Sequence, residues 1–267
     1  MVEKLFVSKL QNPLLTFAAV ILTSAALVPV IAGNMMYAEA APAVEICAFG
    51  TNNIVNGLTV HSGEKCTVDG YTLTNTAVFL IEASGTLKIS ETGTFDNAGG
   101  ILSNSGSIRN EGTLYNGGGG AQIINQAAGT IQNEGSIWNG FITFGQDTIA
   151  NFGTIKNKGI IYNGIVGNAI INFGTGTILN TGTIDNDAFF ENLGLIKSRG
   201  TIENDGGGVF INSTTGVIEN GGLIENDVSA IFNNLGTINN QGSIINCGSF
   251  SNTGTINGNP VEADCTG

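Results

Sequence analysis

Positive charge is scarce in this chain: 9 Lys and Arg stand against 21 Asp and Glu, for a formal net charge of −12. So acidic a surface argues against nucleic acid and anionic lipid as partners, because phosphate recognition rests on Lys and Arg. Cations and neutral glycans are not opposed by it. There is one histidine, His61, and no Cys-x-x-Cys. A zinc site therefore finds few ligands, and His61 reads as an ordinary surface residue. The glycine run at 117–120 lacks a following Gly-Lys-Ser/Thr, which excludes a phosphate cradle of the P-loop kind. No nucleophile–base pair, dinucleotide loop or amphipathic helix is found.

What is present is a repeat. From Phe232 to Ile256 every second residue follows one cycle of apolar, Asn, Gly, which makes a hexapeptide I-x-N-x-G-x. A period of two means a strand with one face in and one face out. A Gly every sixth residue marks a bend at that rhythm. Three hexads return the chain to its start, so the expected fold is all-β, a single-stranded parallel β-helix with three short strands per coil. A right-handed coil is favoured by the general crossover rule.

From Leu102 onward the repeat falls into three columns. The first carries Asn110, Asn133, Asn157, Asn180, Ser198, Asn220 and Asn240. The second runs from Asn116 to Asn246, and the third from Asn104 to Asn252. Stacked coils lie about 4.8 Å apart, so like residues fall on like. The Ile stacks supply the core, and inward Asn amides bond to one another and to the corner backbone. Before Phe95 the pattern is ragged. There Val55, Leu58, Val60, Val68, Leu73, Leu80, Leu87 and Ile89 keep a strand alternation without an Asn column. The organisation expected is a signal peptide over 1–40, an N-terminal cap and irregular coils over 41–100, the regular solenoid over 101–257, and a C-terminal cap tail over 258–267.

The signal peptide rests on Lys4 and Lys9 before the apolar run 14–31, with Ala38-Glu39-Ala40 as a small-x-small cleavage site. The alternative is an uncleaved membrane anchor, through which alone the chain would meet a membrane. Removing two positive and two negative charges with this segment leaves the net charge of −12 unchanged. The four cysteines sit as two pairs at opposite ends. An exported chain with an even count predicts disulfides Cys47–Cys66 and Cys247–Cys265, since cross-pairing would span the rod.

Through its Gly-Thr-Ile-x-Asn-x-Gly units the chain resembles the parallel β-helix repeats of bacterial and archaeal surface proteins, including haemagglutinin-like and autotransporter-passenger adhesins. The resemblance implies a secreted or cell-surface, structural or adhesive role, with an extracellular glycan or protein as partner. It departs from autotransporters in showing no C-terminal barrel.

Longer insertions gather between the second and third sides, a common sign of a solenoid's binding face. Beside them the outward position of the second side reads Tyr115, Trp138, Tyr162, then Asp185, Glu203, Glu225, then Ile245. Three aromatics on neighbouring coils form a strip that can stack on sugar rings, or pack as a cross-strand ladder. Asp185, Asp187, Glu203, Asp205, Glu225 and Asp227 place two outward carboxylates on each of three successive coils. Opposed like charges favour a cation, and oxygen-only ligands suit calcium, the one candidate cofactor. The other reading is a solvated acidic face tempered by Lys197 and Arg199. No enzyme is expected. The alternative is a polysaccharide hydrolase or lyase using Asp185, Glu203 and Glu225, against which the outward face has no histidine. Ice binding through Thr130, Thr154, Thr177 and Thr237 is opposed by the intervening Lys156, Lys197 and Glu219.

Overall fold

The computed structural model describes residues 44–140, 145–164, 167–263 and 265. The leader read over 1–40, and the parts of two insertions at 141–144 and 165–166, lie outside the described residues. The described strands form three parallel sheets of 11, 11 and 10 strands. Each strand pairs with those three places before and after it in the chain, so the backbone winds as ten complete coils and a partial eleventh. This is the all-β solenoid with three strands per coil that the hexads demand. Among the described residues no helix is long and apolar enough to cross a membrane.

The pairing register puts like on like. On the first side Ile131, Ile155 and Ile178 are direct partners, and so are Asn133, Asn157 and Asn180. The Ile stacks are buried, each side chain contributing about 1.5–3 kcal/mol. The Asn residues point inward and are equally buried. The amides satisfy one another along the stack: Asn133 Nδ2 donates to Asn157 Oδ1 at 2.7 Å, and Asn157 Nδ2 to Asn180 Oδ1 at 2.8 Å. Asn157 Nδ2 also reaches the corner carbonyl of Gly159 at 3.1 Å. The same ladder runs on the other two sides, as in Asn163–Asn186 and Asn192–Asn212. Without these bonds the buried amides would cost more than they return.

Three sequence readings need correction here. The second-side Asn column does not begin after Phe95: Asn75 and Asn97 are buried rungs, with Asn75 Nδ2 donating to Asn97 Oδ1 and Asn97 Nδ2 to Asn116 Oδ1. Leu80 is not an inward residue; Phe79 and Ile81 on either side of it are the buried ones. An uninterrupted Val-Phe-Leu-Ile run offers no alternation to choose between them. Insertions also are not confined to one corner, because Gln126, Phe173 and Ser213 each open a longer turn between the third and first sides.

The repeating corner glycine has a different cause from a bend. At Gly159 and its stacked equivalents no left-handed φ is needed. Instead the coils approach so closely that a Cβ on Gly159 would stand 1.9 Å from the carbonyl oxygen of Gly135 below it.

Both cysteine pairs lie at disulfide distance, with Cα atoms 4.7 Å apart for Cys47 and Cys66 and 5.4 Å for Cys247 and Cys265. Each joins neighbouring coils at one end of the rod. Tyr71 closes the first end further, donating its hydroxyl to the carbonyls of Cys47 and Thr67. Along the interior, Phe190, Phe210, Phe232 and Phe250 stack face to face, whereas the coils from Ile123 to Ile184 fill it with Ile and enclose a void of about 10 Å³ against Phe190. On the third side the outward Ser103, Ile124, Ala150 and Ile171 are buried as well, and from Ile124 to Ile171 the outward position of that sheet is apolar.

Candidate functional site

The outward column of the second side is one continuous register. Asp96, Tyr115, Trp138 and Tyr162 are successive partners, followed by Asp185, Glu203, Glu225 and Ile245. The parallel pairing therefore converts a sequence spacing of one coil into side-by-side contact. Tyr115 and Trp138 stack with ring centres 6.4 Å apart and planes 29° from parallel. Tyr162 turns edge-on to Trp138 at 65°, with centres 5.0 Å apart. Gly164 makes room for that turn, since a Cβ there would stand 2.2 Å from the Tyr162 ring. The flat platform is thus Tyr115 with Trp138, and Tyr162 belongs equally to the acidic half.

The junction is a hydrogen bond: the Tyr162 hydroxyl donates to Asp187 Oδ2 at 2.6 Å. Burial first, and then that bond, raises the Tyr162 hydroxyl well above its ordinary value. Around Asp187 the structure brings together three of the six carboxylates. One oxygen each from Asp185, Asp187 and Asp205 lies within 4.8 Å of the others. Gly206, at φ 53°, allows the Asp205 turn to close on Asp187: a Cβ there would stand 2.9 Å from the Asp187 carboxyl carbon. Glu203, Glu225 and Asp227 stand outside this group, and Asp227 is exposed.

Crowding changes the protonation of the group. Burial, then Asp187 and Glu203, pushes the Asp185 carboxyl up to about 6. The Asp205 carboxyl is pushed up to about 8, first by its hydrogen bond to Asp187, then by burial and the charges of Asp187, Asp185 and Glu203. At neutral pH Asp205 therefore holds a proton that it shares with Asp187. Burial followed by Glu225 and Asp227 raises Glu203 too. One oxygen each of Asp185 and Asp205 is buried with no hydrogen-bond partner. Oxygen-only donors at this spacing, two of them unmet, fit a calcium ion bound at about 2.3–2.6 Å.

Lys197 does not temper this face. It pairs with Glu219 at 2.7 Å on the first side. His61 sits far along the chain, exposed and 3.2 Å from Glu82. The outward threonines Thr130, Thr154 and Thr177 do stack, but Leu195 and Val217 interrupt the column before Thr237. The glycine run at 117–120 has an occupant that sequence reading missed. Buried Asp147, from the coil above, accepts the N–H groups of Gly120 and Ala121 at 2.9 and 2.8 Å. The turn cradles an anion, and that anion is the chain's own carboxylate.

No family model matches the chain, and no curated protein matches it. Among solved structures it is similar to a TibC-catalyzed hyper-glycosylated fragment of TibA, at 16% identity over 83% of this chain and 93% of that chain, with a TM-score of 0.21. A score of that size carries no functional weight, and the fold stands on the strand pairing above.

Proposed function

We propose that this chain is an exported, structural or adhesive rod of the cell surface, whose contact face is the outward column of its second side. The observation that carries the reading is the hydrogen bond from Tyr162 to Asp187, which joins a ring platform and a carboxylate group into one surface. Tyr115 and Trp138 offer a stacked aromatic surface against which a saccharide can lay its apolar face. Asp185, Asp187 and Asp205 offer calcium three oxygens, with Glu203, Glu225 and Asp227 as outlying negative charge. Calcium entry displaces the proton shared by Asp187 and Asp205. The disulfide-distance cysteine pairs support an oxidising, extracellular setting.

The spacing of the three carboxylates around Asp187 supports ion binding over hydrolysis at that group. Glycosidases keep their two carboxyls about 5–5.5 Å apart when retaining and about 6.5–9.5 Å apart when inverting. The group around Asp187 is tighter than either.

The test uses the single Trp138 as reporter. Titration with neutral and acidic polysaccharides should change its fluorescence saturably, and Tyr115→Ala should weaken that response. Calcium should raise the melting temperature, and Asp205→Asn should remove the rise. A flat fluorescence titration together with identical melting curves with and without calcium rejects the reading. Reducing-sugar release from any of the polysaccharides would replace it with an enzyme.

A further inference from the structure

A second polar surface lies on the corner between the first and second sides, near the far end of the rod. From Glu111 to Gly242 each coil turns that corner with a residue followed by glycine. Reading up the rod, the residue is Glu111, Glu134, Lys158, Thr181, Arg199, Gly221 and Gln241. Gly221 is the one rung in that series with no side chain. An open groove of about 540 Å³ runs over the gap, lined by Gly221 with Lys197, Arg199, Glu219, Asn239, Gln241 and Asn257. That volume falls within the roughly 300–1,000 Å³ of small-ligand sites. Arg199 and Gln241 stand on either side of the gap, two rungs or roughly 9.6 Å apart along the axis.

The backbone does not require glycine at 221. Its φ is not left-handed, and a Cβ would meet nothing closer than 3.7 Å, at Arg199 Cγ and the Ser198 carbonyl. At the corner glycine that follows, Gly222, a Cβ would stand 2.1 Å from the Gly200 carbonyl oxygen. Packing thus accounts for Gly222 and leaves Gly221 as a gap in the surface.

The charges around the gap are unequal. Lys197 is neutralised by Glu219. Asn257 donates its amide to Asn239 at 2.9 Å. Arg199 makes no ion pair among the described residues, although carboxylates outnumber cations in this chain more than two to one. A guanidinium presents a planar fork matched to a carboxylate, and side-chain amides donate to and accept from hydroxyls. Beyond about 8 Å the net negative charge is screened at physiological ionic strength, so contact charge decides.

We propose that this groove binds a carboxylated saccharide, its ring lying over Gly221, its carboxylate on Arg199 and its hydroxyls on the amides of Gln241 and Asn239. The site is separate from the aromatic and acidic column, and it stands or falls independently of the reading given for that column. It names an acidic sugar where the ring platform asks only for a sugar face.

Isothermal titration of the whole chain with trigalacturonate, against uncharged maltotriose, tests it. Trigalacturonate should bind saturably and lose affinity as salt rises, while maltotriose should bind at least about tenfold more weakly, as loss of one charge-assisted contact requires. Arg199→Gln should weaken trigalacturonate binding by about tenfold or more. Gly221→Leu should fill the gap and abolish binding, with an unchanged far-UV spectrum showing that the fold survives. Absence of saturable trigalacturonate binding overturns the proposal. So does equal affinity for maltotriose, or binding untouched by Arg199→Gln, which would place the saccharide elsewhere.

Discussion

The coils up to Asn104 and those after it wind alike but close their corners differently. In the early coils the last inward position before a corner is often aliphatic, as at Val60, Val68, Ile81 and Ile89. Each is followed by a turn of three or four residues that meets its own bonds, such as Gly85 N–H to Glu82 and Gly93 N–H to Ser90, both at 2.9 Å. In the later coils the position is Asn, or Ser at 198, and most corners shrink to two residues. So short a turn cannot bond within itself. The amide supplies the missing donor, as Asn157 does for Gly159 and Asn220 for Gly222. The difference teaches that asparagine is not needed for winding. A side-chain donor is what tight corners use, Asn at most of them and Ser at 198, and the ladder is what makes a column of buried amides affordable.

The comparison can be broken most forcefully at a mid-rod rung. Asn186→Leu should cost about 2–6 kcal/mol in urea unfolding, because it strands Asn204 Oδ1 and one of the two Asn163 Nδ2 hydrogens, the other staying on the Phe189 carbonyl, at about 1–3 kcal/mol each. Matching loss from Ile89→Asn would show that polarity, not the ladder, decides, and would undo the distinction. Next, Cys47→Ser should lower stability by about 3 kcal/mol, since the closed loop is 19 residues. Hydrogen exchange should show that loosening confined to the early coils. A smaller effect is expected from pH. The folded-state values of Asp185 and Asp205 are raised above the ordinary carboxylate range, so the native state binds more protons than the unfolded chain. Stability should therefore fall as pH rises from about 4 to about 8, and climb on acidification over the same window. Asp187→Asn should flatten that slope in calcium-free melting curves. The smallest change is a gain. Ser198 receives Asn180 Nδ2 at 3.1 Å but passes its own proton to Gly200, so the ladder stops there. Ser198→Asn should restore the link to Asn220 and add about 1 kcal/mol.

The fold was legible because stacking copies one local rule onto every coil. I-x-N-x-G-x states both the inward face and the corner, and register follows. Legibility failed where the rule fell silent, as in the Val78–Ile81 strand, whose four apolar residues leave the inward pair undefined. Asn75 was missed because the strands on either side of it end in Val68 and Ile81, and Asn97 because the strand before it ends in Ile89. The outward column from Tyr115 to Glu225 could be read by register alone. The turning of Tyr162 towards Asp187 could not, since it depends on space left by Gly164 and on a corner closed by Gly206. Gathering of three carboxylates out of six is likewise a matter of corner geometry. The gap at Gly221 is written in the sequence, but only structure separates a glycine required by packing from one that is not.

The amide ladder has a direction. On the first side the rungs from Asn110 to Asn157 each pass an Nδ2 hydrogen upward to the Oδ1 of the next coil, and beyond the break at Ser198 Asn220 does the same to Asn240. At the bottom of the first side, above apolar Ile89, Asn110 Oδ1 is left buried without a donor. Strand dipoles in a sheet largely cancel, whereas these side-chain dipoles all add. The rod is therefore electrically polar along its axis, with amide hydrogens leading at one end and carbonyl oxygens trailing at the other. A coil added at the hydrogen-bearing end must present an acceptor and one added at the other end a donor, so the two ends of such a column cannot be exchanged and each calls for a cap of the opposite chemistry.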